Sequence, residues 1–235
     1  MWKSVLSCLA ALSASVSVSA ADLTDTEQRW LNGIWPVVAY ARETKLPLDI
    51  VVQPQPTPGH APLALAFVEG RCKLVLSMRG NSEAQATLER IEAELLAPVL
   101  ELMAAHELGH CRRHLDGAWH VPPARHVIHV PQALDADLHA DYLRMQATRR
   151  EEAYGDLVGL AWTARHHPQQ YARVHAWLTA ERSKDLIPGS HHDTLAWVGL
   201  ARAAVSPLPS LFEGPTTLWL AGFAAIDDST RVSQR

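Results

Sequence analysis

Apolar positions recur three and four residues apart over most of this chain, and alternate in only one early block. The run Thr24-Asp25-Thr26-Glu27 has the form of a capping box and opens a helix to about Arg42. Trp30, Leu31, Ile34 and Val38 form its apolar stripe. Leu48 to Val52 is a short β-type run, followed by a Pro-rich loop over 53–62. Leu63 to Val68 and Cys72 to Met78 then read as two strands turning through Glu69-Gly70-Arg71. Asn81 and Ser82 can cap a helix striped by Leu88, Ile91 and Leu95. Pro98 suits the first turn of the next helix, which runs to about Leu115 and ends at Asp116-Gly117. Beyond a loop, helical periodicity returns over about 132–149, 152–166, 168–183 and 190–204, with a tail helix near 216–225. Trp162, Trp177 and Trp197 fall where helices pack. The pattern predicts a mainly helical α+β domain over 21–235, with a small sheet just before the 98–115 helix.

The first twenty residues stand apart. Lys3 is their only charge, Val5 to Ala20 is apolar and Ser-rich, and Val18-Ser19-Ala20 puts small residues before Ala21. This is the form of a cleaved export signal over 1–20. Charge or Pro interrupts every later apolar run, so no membrane span is expected in the mature chain, which belongs in the periplasm or outside the cell. A net charge of −4 provides no basic field to recruit nucleic acid. Two cysteines remain, Cys72 and Cys111; an oxidising compartment would let them pair, and buried free thiols fit the sequence equally well.

The chemistry is concentrated in His106-Glu107-Leu108-Gly109-His110. Residues four apart share a helix face, so both imidazoles can reach one metal ion with Glu107 beside it. Two nitrogen ligands and a carboxylate that takes a proton from water are the parts of a zinc hydrolase. Such a site needs a third protein ligand. Asp116 has a suitable spacing, but Arg113 continues the helix and points it away. His114, His120, His126 and His129 are loop or drifting candidates. The favoured candidate is Asp137, one turn before Asp141 on the following helix. Asp137 would bind the metal while Asp141 accepts the free N–H of His106 and fixes its tautomer. His139 points away from both.

His-Glu-Leu-Gly-His on one helix, with carboxylate-x-x-Ala-Asp on the next, resembles the gluzincin metallopeptidases. The nearest group is the family of CAAX prenyl proteases, membrane heat-shock proteases and periplasmic chaperone-proteases. The resemblance covers roughly 60–200 and implies a zincin-like domain, Zn²⁺ as cofactor and polypeptide substrates. It also implies a carbonyl-stabilising role for His191, in Ser190-His191-His192-Asp193-Thr194. Three positions depart from the pattern: Asp137 stands for the usual Glu, His192 for Pro, and Trp197 for Arg. The expected activity is an exported zinc endopeptidase with Glu107 as general base. The alternative is a zinc-bound chaperone or binding module without proteolysis. For the peptidase, the Cys72–Met78 strand is the expected partner of an extended substrate.

Overall fold

A computed structural model describes residues 22–53, 61–124, 130, 135–184, 186–202 and 210–232. The expected export signal lies outside the described residues, as do His126 and His129. The fold is mainly helical α+β with one three-stranded sheet.

Helix α1 (Asp25–Glu43) begins as its sequence predicts: the Thr24 hydroxyl accepts the Glu27 N–H at 3.2 Å, and Glu27 accepts the Thr24 N–H at 2.7 Å. Its inner face buries Trp30, Ile34, Val37, Val38 and Ala41. Strands β1 (Leu48–Gln53), β2 (Leu63–Val68) and β3 (Arg71–Ser77) pair in the order β1-β3-β2. β3 is parallel to β1 and antiparallel to β2. Both sides of β3 are therefore occupied, and the expectation that this strand receives a substrate chain is wrong: its backbone donors and acceptors are already spent. Among the described residues β1 and β2 are the edges.

After α2 (Ser82–Arg90, capped by Asn81), a 3-10 turn over Ala93–Leu95 leads into α3 (Leu96–Leu115). α3 is buried on almost every side and crosses α4 (Ala136–His166). The sequence predicts a break near 150, yet α4 continues for 31 residues. Arg150 and Glu151 lie inside it at 5% and 1% exposure. Glu151 accepts both Arg113 (2.9 and 3.1 Å) and the His120 N–H (2.9 Å), which satisfies the buried charge. The crossing is close because it lacks side chains: a Cβ on Gly109 would sit 3.2 Å from the Gly155 Cα, and a Cβ on Gly155 would meet the His106 ring at 2.7–2.9 Å.

Helices α5 (Tyr171–Ser183) and α6 (Leu195–Leu200) follow, then α7 (Glu213–Val232). Trp197, fully buried, donates to the Trp219 carbonyl at 3.0 Å; Trp219 donates to the Arg150 carbonyl at 2.7 Å. Trp162 and Trp197 are thus core residues, and Trp177 is half-buried. Among the described residues no helix is long and apolar enough to cross a membrane.

A disulfide joins Cys72 on β3 to Cys111 on α3, closing a separation of 39 residues. It ties the sheet to the helix that carries the motif. On loop entropy alone the bond stabilises the fold by about 4 kcal/mol. Denaturant unfolding with and without reductant is expected to differ by about that amount.

Candidate metal centre

α3 presents His106 and His110 on its face toward α4, as the four-residue spacing predicts, and Glu107 lines the adjoining cavity. Both histidines are buried, at 8% and 6% exposure. The third member is Glu152. His106 Nε2 lies 3.5 Å from one of its carboxylate oxygens and His110 Nε2 3.5 Å from the other. The three ligand atoms lie within 4.8 Å of one another, and this is the one such group among the described residues. The spacing fits a shared ion. Donors about 2.0–2.1 Å from a tetrahedral centre stand about 3.4 Å apart, beyond a good N–H···O bond. Two imidazoles and a carboxylate can hold a metal ion.

Asp156, one turn after Glu152, is completely buried and accepts His106 Nδ1–H at 3.0 Å. Its other bonds come from Arg182 of α5 (2.6 and 2.8 Å) and the Thr194 hydroxyl (2.6 Å). A carboxylate that only accepts fixes the proton on Nδ1 and turns Nε2 toward Glu152. Arg182 also reaches Glu152 at 3.4 Å. His110 is held differently: Trp119 stands edge-on to its ring at 5.3 Å, and its buried Nδ1 has no partner among the described residues.

These contacts set the local electrostatics. Burial would depress the His106 imidazole, but the Asp156 and Glu152 carboxylates outweigh it and raise its pKa to about 10. Burial would raise Glu152, yet His106 and His110 hold it well below the ordinary carboxylate value. Asp156, also opposed by burial, is kept down to about 2 by Arg182 and His106. The carboxylates thus draw positive charge to the His106 imidazole. Glu107 goes the other way: burial raises it, against the pull of His110 and His106.

His106, Glu107 and His110 therefore come together as expected, and three other expectations are corrected. Asp137 is exposed in the first turn of α4. Fifteen residues separate it from Glu152 on one continuous helix, about 22 Å of rise, so it cannot share their ion. Asp141 pairs with Arg144 on the exposed flank, and Asp156 orients His106 instead. His191 is exposed and does not line the cavity at the histidines, whereas His192 does. The remaining candidates are engaged elsewhere. Asp116 ends α3 and pairs with Arg112. His114 stacks between Phe67 (4.7 Å) and Trp119 (4.0 Å), and His120 on Trp119 (5.0 Å).

Because Asp156 orients one ligand without touching the ion, Asp156→Asn is expected to weaken metal binding about 10–100-fold while leaving the ligand set intact. Competition against a chromogenic chelator measures this. No family model, curated protein or solved structure matches this chain.

Proposed function

We propose that the chain is a zinc-dependent peptide hydrolase of zincin-like architecture, acting outside the cytoplasm. One observation carries the reading: Glu107 lines the same cavity as His106 and Glu152, two of the three side chains that with His110 can hold one ion. Zinc bound by those three side chains would supply the Lewis acidity that such hydrolysis needs. Glu107 takes the proton from the attacking water and returns it to the leaving amine. Asp156 and Arg182 keep the ligands aimed, so little reorganisation is required when substrate arrives. His192, at the rim, is the side chain best placed to donate toward the reacting carbonyl. The β2 edge leads into the same cavity through Leu63 and can align an extended peptide.

The resemblance to the gluzincins gains from this arrangement. Glu152 followed by Asp156 supplies the Glu that position 137 lacks, and Arg182 holds both carboxylates in place. The departure at position 137 therefore no longer separates this chain from the peptidase pattern. The expected signal and the disulfide support an oxidising compartment.

Elemental analysis of the purified chain, together with cleavage of an unstructured peptide, tests the proposal. One zinc per chain, activity lost to a chelator and regained on adding zinc, is the expected result. Cleavage indifferent to chelation, or protein that binds no divalent metal, defeats it.

A further inference from the structure

We infer that the cavity selects peptides carrying a bulky apolar side chain next to the bond presented to Glu107; this rests on the peptidase reading above. The cavity holds about 300 Å³, and α3 and α5 pass it in the same sense: Arg173 near the start of α5 pairs with Glu94 just before α3, and Arg182 near its end reaches Asp156 beside His106. α3 contributes Leu102 and Met103, then His106 and Glu107 one turn later. α5 contributes Trp177 and Leu178, then Glu181 and Arg182 one turn later. Each helix changes from apolar to charged within one turn, about 5.4 Å. The cavity therefore has an apolar compartment and a charged one side by side.

Leu102 and Leu178 are 2% and 4% exposed, so the apolar wall is already packed and does not have to form on binding. Leu63, 4% exposed, closes a third side from β2. Adjacent Cα atoms of a peptide are about 3.8 Å apart. A carbonyl held at the charged end therefore delivers a neighbouring side chain to the apolar end. The volume takes one large side chain beside the reacting groups. An Asp or Glu there would lose water without gaining a partner. An Ala would leave the wall unfilled, which pockets of this type reject about tenfold or more.

The test uses one unstructured peptide scaffold with Leu, Phe, Met, Ala or Asp beside the cleaved bond. Two readouts are compared: kcat/KM with the zinc-loaded wild type, and equilibrium binding to the zinc-loaded Glu107→Gln protein. Leu, Phe and Met are expected to exceed Ala by about tenfold or more in both, with Asp last. Met103→Trp, which fills the compartment, is expected to erase or invert the Leu-over-Ala preference, and Trp177→Ala to favour Phe over Leu. If Met103→Trp does not fold, the wild-type ranking and Trp177→Ala decide. A ranking flat in both readouts overturns the inference, even if peptides are cleaved. Binding that ranks by size without any cleavage overturns the peptidase reading and leaves the pocket assignment standing.

Discussion

Glu107→Gln is expected to abolish nearly all peptide cleavage, with a loss on the order of 10²–10⁴-fold in kcat, while metal content and stability stay close to wild type. The substitution keeps size and shape and removes only the ability to carry a proton. Glu107 is not one of the three converging ligands, so the ion should be retained. Burial raises its carboxyl, which makes it a better proton acceptor than an exposed Glu. The neutral amide relieves that burial cost, so the folded state has no reason to weaken. Steady-state kinetics with metal analysis of the same sample checks both halves. A variant that keeps wild-type turnover would take the general-base role away from Glu107. A variant that loses its metal would make Glu107 part of the binding group instead.

How much of this was legible beforehand follows from what periodicity can carry. His106, Glu107 and His110 were legible because their spacing is a helical one inside an apolar run, and α3 forms where that run lies. The three strands were legible from alternation, within a residue or so at their ends. Whether Cys72 and Cys111 meet is not legible in the sequence, since that depends on how β3 docks on α3. The third ligand was missed for a related reason. Asp137 and Asp141 have the same four-residue spacing as Glu152 and Asp156, so spacing could not choose between the pairs. Context could have. Glu152 and Asp156 lead into Leu157-Val158-Gly159-Leu160-Ala161-Trp162, an unbroken apolar stretch, while Arg144 lies one turn beyond Asp141. Gly155 was a second signal: between two carboxylates it leaves room for a ring, and the His106 ring fills that room. The charged run Arg149-Arg150-Glu151-Glu152 obscured both signals, because such runs usually end helices in water. Here Glu151 and Glu152 are satisfied by Arg113, Arg182 and the histidines, partners that only the tertiary fold supplies. Arg182, twenty-six residues after Asp156 on another helix, left no local trace at all.

The choice between the two carboxylate pairs is open to a direct comparison, and its expected outcome is lopsided. Glu152→Ala should lose stoichiometric zinc, with affinity reduced by more than the 10–100-fold typical of an outer partner. Cleavage should disappear with it. Asp137→Ala should match wild type in both, because its side chain is exposed a helix length from the ion. Glu152→Ala carries a second penalty: His106, His110 and Arg182 would face one another without the carboxylate that offsets them. Leaving buried charge uncompensated costs about 3–5 kcal/mol, so some loss of stability is expected as well. Glu152→Gln separates the two effects, since its amide fills the same space and still offers one oxygen. If that variant folds as wild type yet binds zinc weakly, the defect lies in the ligand set. Should Asp137→Ala prove the one that strips the metal, the convergence of α3 with the middle of α4 would not be where the ion sits.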